Sequence, residues 1–127
     1  MARIRVVLAD DHQHVIECIR EILDEEFEVL GSFSNGRQAV DATLGMDPDA
    51  LVLDISMPVL DGIRAARQLR KANSRAKIIF LSMHEDPAFM AAAFSAGACG
   101  YVTKSHLFTD LIPAIHEALL GRSFVSE

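Results

Sequence analysis

A doubly wound, mostly parallel α/β sandwich follows from three features of this 127-residue chain. Five short apolar runs alternate with helical patterns, and such alternation packs helices against both faces of a parallel sheet. Most of the runs are near-continuous rather than alternating, as strands covered on both faces require. No linker interrupts the series, so strand and helix follow each other as five units.

The strands are expected at Ile4–Leu8, Val29–Phe33, Ala50–Leu53, Lys77–Leu81 and Gly100–Thr103. After the first, Val15, Ile19, Ile22 and Leu23 form an apolar stripe at helical spacing. Asn35 is placed to cap a helix opening near Gly36. Pro58 and Gly62 bracket a turn after the third strand, and Ile63, Ala66 and Leu69 mark the helix beyond it. Asp86-Pro87 pairs a cap with a proline at the first helical position. The Ala91–Ala93 run, with Met90 and Phe94, reads as ordinary helix packing. Gly97 and Gly121 fall where helices should stop. Pro113 belongs in the first turn of the last helix, capped by Thr109, or else kinks that helix.

Size and composition bound the function. Half the residues are hydrophobic and 24% are charged, as in an ordinary single globular domain. A net charge of −6 argues against direct binding of nucleic acid, whose phosphate backbone demands a basic surface. No apolar stretch approaches the roughly 18 residues of a membrane span. The N-terminus lacks the apolar segment and cleavage site of a signal peptide, so a cytoplasmic location is expected. Cys18 and Cys99 have no metal-type spacing and read as reduced, buried thiols.

The chemistry gathers at the strand exits. Asp10 and Asp11 follow the first run, Asp54 the third, Ser82 the fourth and Lys104 the fifth. Parallel strands bring those exits to one edge, where open α/β sheets hold their sites. Three crowded carboxylates resist joint ionisation unless a cation neutralises them. An all-oxygen set of that kind suits Mg²⁺. Lys104 and Ser82 add a fixed positive charge and a hydroxyl for phosphoryl oxygens, and a carboxylate can itself accept a phosphoryl group. His12 and His14 beside the acids are not expected to be ligands: residues two apart on a helix face different ways, and hard Mg²⁺ prefers oxygen.

With these residues in view, the chain resembles, over essentially its whole length, the receiver domain of bacterial two-component response regulators. The carrying motifs are V-L-A-D-D-H at Val7–His12, L-V-L-D-I-S-M-P-V-L-D-G at Leu51–Gly62, I-I-F-L-S at Ile78–Ser82 and A-G-A-C-G-Y-V-T-K-S at Ala96–Ser105. D-D-H, and K-S in place of the common K-P, look most like the NarL/FixJ subfamily. The resemblance implies a flavodoxin-like (βα)5 fold with a five-stranded parallel sheet in the order 2-1-3-4-5. It makes Asp54 the phosphoacceptor, served by a histidine kinase, a phosphotransfer protein or a small donor such as acetyl phosphate. Asp11 and Asp54 would ligate Mg²⁺ directly, Asp10 through water, and the backbone carbonyl of Ser56 would complete the protein shell. Lys104 would pair with Asp54 or the phosphoryl oxygens. Ser82 and Tyr101 would act as switch residues, and Ser56 and His84 would tune water access to the phosphorylated aspartate. The chain departs from the pattern at Gln13, where proline is usual, and at Pro113.

Rival readings fare worse. An aspartyl-phosphate hydrolase needs a second aspartate where Ser56 stands. A flavodoxin-like electron carrier needs a Ser/Thr/Gly-rich phosphate loop where D-D-H-Q-H lies. A receiver that only binds partners typically loses its acids or lysine, and all are present. The chain is therefore read as a signalling switch and not a turnover enzyme. Arg64, Arg67, Arg70 and Lys71, followed by Arg75 and Lys77, read first as a solvated basic face, with contact to an acidic partner or attached domain as the alternative. Residues 1–121 are expected to form the receiver. Residues 122–127 look like the start of a linker toward a LuxR-type helix-turn-helix domain that would carry any DNA contact and lies outside this sequence. A stand-alone receiver, acting in a phosphorelay or as a protein-binding module, is the alternative. A homodimer is compatible with either.

Overall fold

The computed structural model describes residues 3–83 and 87–126. Strands β1 (Ile4–Ala9), β2 (Phe27–Phe33), β3 (Ala50–Asp54), β4 (Lys77–Ser82) and β5 (Gly100–Thr103) alternate with helices α1 (Gln13–Leu23), α2 (Gly36–Met46), α3 (Gly62–Lys71), α4 (Pro87–Ser95) and α5 (Leu107–Leu119). All strand pairs are parallel, and the sheet order is β2-β1-β3-β4-β5 with one further strand beyond. Each expected strand appears, four of the five longer than expected by one or two residues at one end.

Alternation along each strand sorts the core into two layers. Val6, Leu8, Ala50, Val52, Ile79, Leu81 and Val102 pack under α1 and α5. Their neighbours Val7, Leu51, Leu53, Ile78, Phe80 and Tyr101 pack under α2, α3 and α4. Both faces are covered, which is why the strands read as continuous apolar runs.

Capping follows the sequence closely at α2, where Asn35 Oδ1 accepts from the Gln38 N–H at 2.9 Å. Gly97 and Gly121 stand at φ 110° and 78° after α4 and α5, in the left-handed region that closes helices. Pro87 opens α4 as expected, and its predicted cap Asp86 lies outside the described residues. In α4 only Ala93 is fully buried, with Met90 and Phe94 leaning on the core.

Two features differ from the sequence reading. Pro113 lies well inside α5, not in its first turn, because the helix opens at Leu107 after a 3-10 turn at Lys104–His106. Pro113 and Thr109 both face solvent, so the Thr109 carbonyl that loses its helical partner can be hydrated. The second is a short sixth strand, β6 (Phe124–Val125), formed by the segment expected to be linker, which pairs in parallel with β5. Ser126 fastens it: its N–H donates to the Tyr101 carbonyl at 2.9 Å, and its Oγ accepts from the Thr103 N–H at 3.2 Å and donates to Asp110 Oδ2 at 2.7 Å.

Candidate phosphoacceptor site

Register brings the acids together. Val6, Val7, Leu8 and Ala9 of β1 stand beside Ala50, Leu51, Val52 and Leu53 of β3, so one further step sets Asp10 opposite Asp54. The Asp10 N–H continues the ladder to the Phe33 carbonyl at 3.0 Å, which holds this residue at the sheet edge. Both residues are buried, at 2% and 3% exposure. Lys104 leaves β5 and reaches between them: Nζ lies 2.9 Å from Asp10 Oδ2 and 3.3 Å from Asp54 Oδ2.

The turn after β3 is built to present Asp54. The Gly62 N–H donates to the Ile55 carbonyl at 2.8 Å, and a Cβ on Gly62 would stand 2.2 Å from the Asp54 carbonyl oxygen. Only glycine admits that approach. Between Pro58 and Leu60 the chain makes a three-residue turn, with Leu60 N–H donating to the Pro58 carbonyl at 2.7 Å and Val59 at φ 70°. A β-branched residue there is strained, a feature that clusters at functional sites. The expected turn between Pro58 and Gly62 is thus present, tightened around Val59.

The charges in the pocket do not balance. Burial pushes the Asp54 carboxyl up from 3.8 to about 6, and the neighbouring Asp10 charge pushes the same way. Lys104 and the Ser56 N–H, 3.4 Å from Asp54 Oδ1, pull it only partly back. Among the described residues Asp10 Oδ2 and Asp54 Oδ2 are buried without an aligned hydrogen bond, so their contacts with Lys104 are charge contacts. Two buried carboxylate oxygens left in that condition are costly unless a cation joins them. Ligand atoms of Asp10, Asp11, His12 and Asp54 all lie within 4.8 Å of one another. That oxygen-rich set fits Mg²⁺.

The remaining site residues fall around this pocket. Ser82, 1% exposed, ends β4 opposite Thr103, and Tyr101 is fully buried on β5 opposite Phe80. Ser56 is exposed and, with Asp11, Arg64, Arg67 and Phe89, lines a groove of about 640 Å³. His84 lies outside the described residues. Cys18 and Cys99 are free and half-buried. The basic stripe is divided. Arg64, Arg67, Arg70, Lys71 and Arg75 all face solvent, but Arg64 pairs with Asp61, Arg70 donates to the Ser95 carbonyl at 3.0 Å and Arg75 pairs with Asp47 and Asp49.

His12 is the site residue that sequence reasoning set aside. It is the N-cap of α1 in extended backbone, φ −98° and ψ 106°, and not yet on the helix. Its Nδ1 sits 3.1 Å from Asp10 Oδ1 and 3.3 Å from Asp11 Oδ1. The helical-spacing argument therefore never applied to it. His14, on the helix, stays outside the cluster, and its ring meets the His12 ring edge-on with centroids 5.9 Å apart.

Comparison with known proteins points one way. The profile of the response regulator receiver domain matches residues 6–116. The uncharacterized transcriptional regulatory protein YvfU of Bacillus subtilis is 34% identical over 125 residues, which cover 97% of this chain and 62% of YvfU. The chemotaxis protein CheY of Halobacterium salinarum is 36% identical over 115 residues, 91% of this chain and 96% of CheY. A structure of the Salmonella typhimurium RcsB response regulator, described in terms of conformational dynamism for DNA interaction, superposes with a TM-score of 0.90 at 30% identity. That match covers all of this chain and 65% of RcsB.

Proposed function

This chain belongs to the response regulator receiver domain family, in its NarL/FixJ-like branch, and on that premise we propose that Asp54 is its phosphoacceptor. The chain is an aspartate-phosphorylated receiver whose chemistry is its own phosphorylation and dephosphorylation, not turnover of a substrate. The observation that carries the assignment of Asp54 is its buried Oδ2, which has no aligned hydrogen bond among the described residues and lies 3.3 Å from the Lys104 ammonium it shares with Asp10.

The roles divide as follows. Asp54 Oδ2 attacks phosphorus on a phosphohistidine of a cognate histidine kinase or phosphotransfer protein. The O–P bond forms as the N–P bond breaks, and the departing imidazole nitrogen takes up a proton. Asp10, Asp11, Asp54 and the Ser56 backbone carbonyl would hold Mg²⁺, Asp10 through water, and the ion would supply neutralisation of the negative charge on the transferring phosphoryl group. Lys104 exchanges its contact with Asp54 for one with a phosphoryl oxygen. Ser82 bonds another, and its movement, with Tyr101 behind it, alters the β4–β5 surface. Ser56 and His84 regulate how water reaches the aspartyl phosphate.

Beyond this domain, we place the chain at the head of a transcription regulator, with residues 122–127 leading toward a helix-turn-helix domain that carries DNA binding. The proportion of YvfU and RcsB that the chain spans supports this. Homodimerisation and a cytoplasmic location belong to the same reading. Among the described residues no helix is long and apolar enough to cross a membrane. The near-complete span of CheY favours the alternative, a stand-alone receiver in a phosphorelay or binding role.

The test is intact mass after incubation with acetyl phosphate and Mg²⁺. Wild type is expected to gain about 80 Da, one phosphoryl group, and neither Asp54→Ala nor a metal-free sample is expected to gain. A gain that survives in Asp54→Ala would move the acceptor elsewhere.

A further inference from the structure

We propose that His12 is a nitrogen ligand of the acid pocket, through Nδ1, and that it gives this receiver a preference for divalent transition-metal cations such as Mn²⁺ and Co²⁺ over Mg²⁺. The inference rests on the pocket being a metal site, and it adds a donor to the all-oxygen set derived above.

Geometry carries the argument. The His12 N–H donates to Asp10 Oδ1 at 2.8 Å, which ties the backbone of His12 to the first acid. Its extended conformation then turns the ring back over the carboxylates instead of along α1. Nδ1 comes to 3.1 Å from one carboxylate oxygen of Asp10 and 3.3 Å from one of Asp11. Adjacent ligands on an octahedral ion with bonds of about 2.1 Å stand about 3 Å apart. The nitrogen is therefore already near ligand spacing from Asp11, the neighbouring acid that would ligate directly, while its contact with Asp10 is a hydrogen bond that ligation would replace. The buried Oδ2 atoms of Asp10 and Asp54, without aligned hydrogen bonds, are the independent sign that a cation belongs in the cluster.

Chemistry sets the consequence. Imidazole nitrogen contributes little to Mg²⁺, which holds oxygen and keeps its waters, but binds first-row transition ions more strongly. The His12 side chain is 52% exposed, so the ring is free to turn by the small amount that ligation needs. A competing role is open to the same atom. A proton on Nδ1 would let the ring donate to both carboxylates, and one nitrogen cannot hold proton and metal together.

Pulsed EPR of the Mn²⁺-loaded protein separates the two, with Mn²⁺ alone as the probe. The expected result is a ¹⁴N coupling of directly bound imidazole that is lost in His12→Ala and kept in His14→Ala. Titration by Mn²⁺ and Mg²⁺ should show roughly tenfold weaker Mn²⁺ binding in His12→Ala, with Mg²⁺ affinity unchanged. Bound Mn²⁺ with no nitrogen coupling in wild type would overturn the ligand role and leave the acid pocket intact as a metal site. A coupling that persists in His12→Ala would assign the nitrogen elsewhere. No Mn²⁺ binding at all would overturn both this inference and the metal reading beneath it.

Discussion

The sheet carries a cluster of charge at each end, and the two are built on opposite terms. At the C-terminal edge, Asp10, Asp11 and Asp54 crowd together and Lys104 reaches Asp10 and Asp54, and the side chains of Asp10, Asp54 and Lys104 are 0%, 4% and 7% exposed. At the N-terminal edge, Asp47 and Asp49 meet Arg5 and Arg75, charge for charge. There the Arg75 guanidinium donates to Asp47 Oδ2 at 3.0 Å and Asp49 Oδ1 at 3.1 Å, and the Arg5 N–H donates to Asp49 Oδ2 at 2.8 Å. Arg5 also holds the Asp47 and Met46 carbonyls. One end is balanced and hydrogen-bonded, and the other is crowded and short of partners. Identical residue types thus serve structure where they are satisfied and chemistry where they are not.

The largest test of that contrast is the stability of metal-free Asp54→Asn. In the folded wild type the Asp54 carboxyl sits at about 6 against an ordinary 3.8, so the native state holds the proton more tightly than the unfolded chain. Its contribution is most favourable below 3.8 and is lost as pH rises through 6. Above that, the buried anion costs on the order of 2–3 kcal/mol. Asp54→Asn should therefore be the more stable protein at pH 7.5 in chelator, with the gap closing on acidification toward pH 4. Denaturant melts at several pH values check it. Equal stability throughout would mean that Lys104 satisfies Asp54 after all, and the contrast would collapse.

A smaller effect comes from the backbone that presents the acid. Gly62→Ala drives a Cβ into the Asp54 carbonyl, and such overpacking costs about 1–3 kcal/mol. The same substitution at Gly45, an exposed position of α2 with no heavy atom within 4 Å of its Cβ, should stabilise by about 0.5–1 kcal/mol. Paired chemical melts, together with the rate of phosphorylation by acetyl phosphate, separate the two. If Gly62→Ala proves as mild as Gly45→Ala, the turn after β3 is not held against Asp54.

What the sequence made legible follows from the range of the interactions involved. Asp10, Asp11, Asp54, Ser82 and Lys104 each end an apolar run, so a short window of residues reveals them. The same holds for Asn35, whose cap spans three residues. His12 escaped because its role depends on one residue of boundary: as a cap it turns inward, and on the helix it would not. β6 is two residues long, too short for any periodicity, and is held through edge bonds to Cys99 and Tyr101 far back along the chain. Pro113 misled because a helix interior tolerates it when the carbonyl it frees is open to water. The Arg5–Asp49 pairing joins residues 44 apart, and only the register of β1 against β3 brings them together.

The smallest effect belongs to the balanced end and has the opposite sign in pH. The Arg5 N–H, with Arg75 assisting, holds the Asp49 carboxyl below its ordinary 3.8, outweighing its partial burial. Native Asp49 thus releases its proton more readily than unfolded Asp49, so its contribution is present above 3.8 and lost as pH falls through the lower folded value. Asp49→Asn should cost only about 0.5–1 kcal/mol at neutral pH, as part-exposed pairs do. Salt should shrink that cost further, because the Arg75 side is open to solvent. Measured beside Asp54→Asn, the two substitutions should move stability in opposite directions at pH 7.5. The Asp54 difference should fade between pH 6 and 4, and the Asp49 difference only below that range. A cost at Asp49 as large as the gain at Asp54, or one indifferent to salt, would show that the N-terminal cluster is itself strongly coupled and that satisfaction alone does not distinguish the two ends.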